Sequence, residues 1–533
     1  MLSEYPETSS VSPVAPRRQW IVVGAIAAVF LVATVLRFYQ LDVRPFHHDE
    51  GVNHHFIEEV IRRGYYPYSH ENYHGPLFFY LLTGFMLVFG DGEAAFRALP
   101  AVSGILLALL PFCFARTLGL RAAFFGGLLL ATSPSLIFYS RYTIHEMLFA
   151  LAQVVLGLGV FTWWRTRAPA QWYVIWFAMM SLVTLKETFV VSVFWIVLAL
   201  LSIATPRGVL AALGTSARHI GRAYLASLAF LFFVFSGGFR WFEGLREMIQ
   251  AFPQWLGRGT SSDPGHFKPM GYYIDDVLWP AEPVTLIVTA LAGVLLFYSL
   301  GVRFRRGGLT AIGRHDVSGG LPFSARTDLL SFLFVWSAGT LVTYCAIPYK
   351  TPWLIISFVA PAMILGGVLC ALATESRRFE IRSLGWVIVA VGVLFDSRES
   401  FRFNYRSSPT METVLRLRSM PYGDGNPYTY VHTTDGMRDF VEDLKRYLRF
   451  NPSARIVIGV DGYWPLPYYL RNVTDRAGYQ RVEDPVAIQG DYDVIVAEHT
   501  FEWDGGGDFS RKYYRFTGAS ETHTYFRKIE GFQ

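Results

Sequence analysis

Apolar residues gather into runs long enough, or nearly long enough, to cross a hydrocarbon layer of ~30 Å. They lie at 20–36, 97–115, 122–139, 147–164, 172–185, 188–204, 223–237, 284–302, 329–347, 353–373 and 383–395. The pattern predicts an all-α polytopic membrane protein of about eleven transmembrane helices. A shorter run, Pro76 to Gly90, sits between two polar loops, where its length favours an interfacial or re-entrant helix. Between them, Asp49 to Arg63 places Val52, Phe56, Ile57 and Val60 on one face and predicts an amphipathic helix along the membrane surface.

The basic loops set the orientation. If Pro76–Gly90 does not cross, the loops with Arg116 and Arg121, Arg165 and Arg167, Arg207 to Arg222, Arg303 to Arg326 and Arg377 to Arg382 share the side of Arg17 and Arg18. That satisfies the rule that positive loops stay inside. Residues 1–19 are then a cytoplasmic tail and 20–400 a transmembrane domain, with outer loops at 37–96 and 238–282. The run after Arg17 and Arg18 has no small-residue cleavage site and reads as a retained span. Hydropathy falls beyond Tyr405. Soluble patterns follow: a helix over Asp435–Phe450 opening at Thr434, and strands at Arg455–Val460 and Asp493–Ala497. Residues 401–533 are therefore expected to form a small extracytoplasmic α/β domain.

Composition agrees. Of 533 residues, 52% are hydrophobic and only 17% charged, more apolar surface than soluble cores would hide. The net charge of +5 is small and spread over short loops, which excludes a nucleic-acid-binding surface. Cys113, Cys345 and Cys370 all fall in apolar runs without metal-ligand spacing and read as small hydrophobes. The chain shows neither an internal repeat nor a low-complexity tract, which weighs against an inverted-repeat transporter.

Ionisable residues avoid the middles of the runs and collect at their outer ends: Asp49 and Glu50, then Arg141, His145 and Glu146, then Lys186 and Glu187, then Lys350 in PYKTPW. Charge so near hydrocarbon is costly unless paired or functional. Any one of these fits an ordinary turn, and Arg141–Glu146 or Lys186–Glu187 fit local pairs. As a set, with both signs at several short turns, they point to a site. A carboxylate beside cations suits transfer from a phosphate-activated, lipid-anchored sugar. The carboxylate takes the acceptor's proton while Lys, Arg or a divalent metal neutralises the departing phosphate. Histidines crowd the first outer loop at 47, 48, 54, 55, 70 and 74. Both a solvated loop and metal ligation through His48 and His74 fit them. In the second loop His266, Tyr272 and Tyr273 are candidates for sugar or acceptor contacts. Tyr463, Trp464, Tyr468 and Tyr469 fit either sugar stacking or the core of the C-terminal domain.

At these residues the chain resembles the GT-C glycosyltransferase superfamily, which includes the family 39 protein O-mannosyltransferases and the transferase that adds aminoarabinose to lipid A. The segments are FHHDEGVNHH, YHGPLFFYLLTGFMLVFG, EAAFRALPAVSGILLALL, ATSPSLIFYSRYTIHEMLF, LVTLKETFVV and PYKTPWLIISF. Within it the chain looks most like prokaryotic membrane proteins named for association with lipid-linked sugar flipping, through DGYWPLPYYLR at Asp461–Arg471. The resemblance implies a polyprenyl-phosphate sugar donor, with Asp49 as catalytic base and Glu50 in the same acidic motif. It places Glu146 at the second acidic position, implies Lys186 on the donor phosphate, and includes a later Lys-x-Pro motif similar to Lys350-Thr351-Pro352; with Lys186 so placed, Arg141 and Lys350 are expected to steady the same phosphate. His74-Gly75-Pro76 stands where the lipid A transferase type has Glu-Lys-Pro, and is closer to the His-Pro-Pro of the mannosyltransferases. The expected partners are the bilayer, the lipid-linked sugar, and an acceptor that is a protein, a lipid-linked glycan or a polysaccharide. The other function kept in view is lipid-linked sugar translocation, or an accessory role in glycan assembly, for which the spans supply few polar groups.

Overall fold

The computed structural model describes residues 16–533 apart from 73, 260–265, 306–322, 417, 424, 474, 481, 483, 502, 519 and 533. Most of the expected tail, and all but the ends of the 303–326 arginine loop, lie outside the described residues. The chain is a multi-pass helical membrane bundle carrying a small C-terminal α/β unit, the architecture its apolar pattern predicts.

The bundle begins with α1 (Pro16–Phe38), followed by the amphipathic α2 (His48–Arg63) and the short apolar α3 (Leu77–Phe89). Then come α4 (Ala98–Cys113), α5 (Leu120–Thr132), α6 (Pro134–Ser140), α7 (Glu146–Thr166), α8 (Gln171–Leu185) and α9 (Phe189–Ile203). All eleven apolar runs fall in helices. By length and composition five helices can cross a membrane, or seven if each of two bent pairs counts as one span. Four more are apolar but only 10–17 residues long: α3, α4, α8 and α9. The polar turns of the site shorten two of them, since α8 stops at Lys186 and α9 starts after Thr188.

Two broken helices meet beside the site. α5 and α6 bend by 62° at Ser133, and Tyr273–Ala281 bends by 108° into Pro283–Arg305 (α10) at Glu282. Breaking a helix frees carbonyls that must find donors inside the bundle. Arg37, fully buried, supplies them, donating to the carbonyls of Leu130 at 3.0 Å and Ala131 at 3.1 Å. On the other side of the break Pro134 takes the first helical position and Glu282 accepts from the Ser133 hydroxyl and from the Ser135 amide at 3.3 Å.

The long loop expected over 238–282 contains a further helix, Glu243–Gly259 (α11). Its Phe252 and Trp255 turn toward the bundle while Ile249 and Leu256 are exposed. Pro253 and its mixed polarity hide this helix from a search for apolar runs.

In the C-terminal unit the helix Asp435–Phe450 (α12) presents Met437, Phe440, Leu444 and Tyr447 to the sheet, a helical spacing. The five strands are β1 (Ile456–Ile458), β2 (Ala477–Tyr479), β3 (Val494–Glu498), β4 (Phe509–Arg515) and β5 (Glu521–Arg527), in order β2-β1-β3-β5-β4. β1 runs parallel to both neighbours, Ile456 opposite Ala477 and Val494, while β5 is antiparallel to β3 and β4.

Candidate active site

The start of α2 carries the first carboxylates. His47 caps the helix: its Nδ1 accepts from the Asp49 amide at 3.1 Å, and Glu50 Oε2 accepts from the His47 amide at 2.9 Å. The adjacent carboxylates then part, because successive helical residues point about 100° apart. Glu50 turns inward, 1% exposed, and accepts from Arg97 Nε at 2.8 Å, Arg97 Nη2 at 2.6 Å and the Thr143 amide at 3.0 Å. Burial alone would raise this carboxyl, but the Arg97 guanidinium holds it below its ordinary value. Asp49 turns outward, its side chain 38% exposed, into a cavity of about 450 Å³.

Tyr142 orients Asp49. Its hydroxyl lies 2.7 Å from Asp49 Oδ2 and also contacts His47 Nδ1. His47 Nε2 donates to the Tyr430 carbonyl at 2.6 Å, which fixes Nδ1 as an acceptor, so the single phenolic proton is shared between His47 and Asp49. Burial and then the charge of Asp49 keep that phenol protonated well above its ordinary value.

Across the cavity stands Glu146, in the first turn of α7, ion-paired with Lys186 at the end of α8; both side chains are 8% exposed. Lys186 itself faces a second, smaller cavity of about 110 Å³ with Glu187, Thr188 and Trp255. The two cavities share His74, Tyr349 and Trp353 as walls. The pair thus spans the partition, Glu146 on one side and Lys186 on the other.

Gly75 makes this proximity possible. Its amide donates to the Leu185 carbonyl at 3.0 Å, and a Cβ there would lie 2.1 Å from the Thr184 carbonyl oxygen. The neighbouring His74 reaches Glu187 at 3.4 Å and packs against His145, ring centroids 5.1 Å apart.

The remaining expected residues divide. His48 and His266 line the larger cavity, and His266 stacks on Tyr349 at 4.2 Å. Arg141 is fully buried, donating to carbonyls at the end of α1, Arg37 among them at 3.1 Å. Lys350, 1% exposed, donates to the carbonyls of Ile347 and Lys268. Tyr273 is buried with its hydroxyl on the Thr351 carbonyl at 3.0 Å, and Tyr272 packs edge-on against it. Arg141, Lys350, Tyr272 and Tyr273 line neither cavity. Although His48 and His74 share the cavity, among the described residues no three His, Cys, Asp or Glu side chains are arranged to hold a metal ion.

Several cavity residues escaped the sequence reading: Tyr142, Tyr430 and Trp353. The tyrosines and tryptophan lie in aromatic-rich stretches and differ little from their neighbours in hydropathy. Tyr430 reaches the site from beyond the last membrane helix, 383 residues from His47.

The site is thus set in a bundle with two broken helices, beside a helix that opens on an acidic turn and a cavity walled by a buried Glu–Lys pair. Residues 73–241 match the family model of dolichyl-phosphate-mannose-protein mannosyltransferases. The fold is similar to that of ArnT from Cupriavidus metallidurans in the apo state, with a TM-score of 0.53 at 14% identity, covering 96% of this chain and 98% of that one. The same ArnT bound to undecaprenyl phosphate matches with a TM-score of 0.51 at 14% identity, again covering 96% and 98%. The Saccharomyces cerevisiae Pmt1–Pmt2 complex bound to the sugar donor gives a TM-score of 0.32 at 20% identity over 47% of this chain and 36% of that one. No curated protein matches the sequence. The likeness in fold to ArnT extends over nearly the whole chain, and the match to the mannosyltransferase family model is confined to residues 73–241.

Proposed function

We propose that this protein transfers a sugar from a polyprenyl-phosphate donor to an acceptor hydroxyl at the outer face of the membrane. The observation that carries the reading is the pair of adjoining cavities, one faced by the half-exposed Asp49 and the other by Lys186. The smaller cavity takes the donor phosphate against Lys186, with the lipid tail leaving into the bilayer. The sugar crosses the shared His74–Tyr349–Trp353 wall into the larger cavity, where the acceptor meets Asp49. The acceptor oxygen attacks the anomeric carbon as Asp49 takes its proton. The bond from that carbon to the phosphate oxygen breaks, and polyprenyl phosphate departs with inversion, its charge held by Lys186. Glu146 fixes Lys186 in place, and Tyr142 with His47 fixes Asp49.

In this reading Glu50, Arg141 and Lys350 shape the site without touching substrate, since each is held by buried partners and none lines either cavity. The family match and the ArnT-like fold support the donor class. The test is transfer from a radiolabelled polyprenyl-phosphate hexose by purified protein in lipid, to water and to a panel of acceptors. Release by the native protein and not by Asp49→Asn supports the reading. Equal release by both, or label crossing the bilayer without release, refutes it.

A further inference from the structure

The motif Asp461–Arg471 supplies four aromatic residues, and the structure gives them different tasks. Tyr468 and Tyr469 dock the C-terminal unit. Tyr468 donates to the Asp91 carbonyl at 3.0 Å, and Tyr469 accepts from the Phe46 amide at 2.9 Å while bonding Glu93. Arg471 adds an ion pair to Asp91 at 3.0 Å. Leu466 and Leu470 enter the core of the unit.

Trp464 does none of this. It is half-exposed and joins no hydrophobic core of the bundle or of the sheet. It lies along α2 between His48 and His55, ring centroids 6.3 and 6.2 Å away, and stacks on Tyr463 at 5.8 Å. Tyr463 in turn meets Tyr479 of β2 at 4.9 Å. The approach needs a bare helix face, and Gly51 provides it: a Cβ there would stand 2.7 Å from Pro465 Cβ and 3.1 Å from the Trp464 ring. Because His48 also lines the cavity of Asp49, an aromatic shelf runs from that cavity's edge outward through Trp464 to Tyr463.

We propose that this shelf is the acceptor subsite and that the acceptor is a glycan chain. The inference rests on reading the cavity as the transfer site, and it names the class of acceptor. Pyranose rings present flat C–H faces that pack on Trp and Tyr, while their hydroxyls stay in water, and a half-exposed aromatic surface suits that balance. The larger cavity continues the same chemistry, with Tyr349, Trp353 and Tyr430 around it and no lysine or arginine among its described lining residues. A growing saccharide would lie along the shelf with its terminal hydroxyl turned in toward Asp49.

The experiment uses the full chain in lipid nanodiscs without donor, so saccharide binding is read separately from transfer. The probes are neutral hexose hexasaccharides of differing linkage and a Ser/Thr-rich peptide of similar length, followed by saturation-transfer NMR and titration. The native protein should bind at least one hexasaccharide. Trp464→Ala should lose about tenfold in affinity, the scale of one aromatic contact. Tyr463→Ala should lose less, and Trp464→Phe should recover most of the loss. Equal binding by native protein and Trp464→Ala, preference for the peptide, or no saccharide binding would each overturn the proposal. Loss of donor release in Asp49→Asn tests the transferase reading by itself, so the two can fail independently.

Discussion

Glu146 and Lys186 form a buried ion pair whose two ends open into different cavities. Neither residue can be removed without consequence for the other. Lys186→Met leaves a carboxylate buried without its partner and should cost about 3–5 kcal/mol of stability. Glu146→Gln together with Lys186→Met should recover most of that in thermal unfolding. The double variant should still fail to bind a polyprenyl phosphate, because the cation is gone. Restored binding would separate Lys186 from the phosphate.

Asp49 and Glu50 offer a sharper contrast. Glu50→Gln loses the charge that holds Arg97, and should destabilise the protein by about 3–5 kcal/mol. Asp49→Asn changes a half-exposed group and should shift stability by less than about 1 kcal/mol. On transfer the order reverses: Asp49→Asn should abolish it, while whatever Glu50→Gln protein remains folded should stay active. Unfolding curves and label release on the same preparations decide between these.

Gly51→Ala tests how the C-terminal unit sits on α2. The new methyl would fall 2.7 Å from Pro465 Cβ. Overpacking of this kind costs about 1–3 kcal/mol. Hydrogen exchange should quicken in Asp461–Arg471 and at the start of α2, and much less in the sheet. Unchanged exchange there would mean the loop gives way without loss.

Acid should weaken the fold before it reaches the carboxylates. Burial holds the His145 imidazole well below its ordinary 6.5, with His74 and Lys186 adding to the push. His432 is lowered by burial, then by His47 and Arg44. The unfolded chain protonates both histidines near 6.5, whereas the folded chain does not. Their contribution is therefore whole above pH 6.5 and declines below it, by up to about 1.4 kcal/mol per pH unit for each. Melting temperature should fall between pH 6.5 and 5, and His432→Asn should flatten the slope.

The helical bundle was legible because lipid demands long apolar runs, and α2 because Val52, Phe56, Ile57 and Val60 repeat at helical spacing. The polar ends of those runs showed where to look for chemistry. Their separate tasks were not legible. Nothing local distinguishes Asp49 from Glu50, since the difference is Arg97, 47 residues further on. Arg141 and Lys350 looked like the other cations at span ends, yet both are spent on carbonyls released where helices end. Tyr142 and Tyr430 carried no signal, because an aromatic in an apolar stretch reads as packing until its hydroxyl or carbonyl is seen to touch something. Strands β4 and β5 escaped for a related reason: FSRKYYR and ETHTYFR mix polar and aromatic residues on both faces.

The Tyr430 carbonyl, fixing the ring that stands beside Asp49, has a practical consequence for exchanging parts between relatives. A chimaera cut at the end of the last membrane helix would keep Asp49 and discard the group that sets the tautomer of its neighbour. To graft a different C-terminal unit, and with it a different shelf, the junction belongs after His432. Moved there, the membrane portion keeps its own Tyr430, and any change in acceptor would report on the transplanted unit alone.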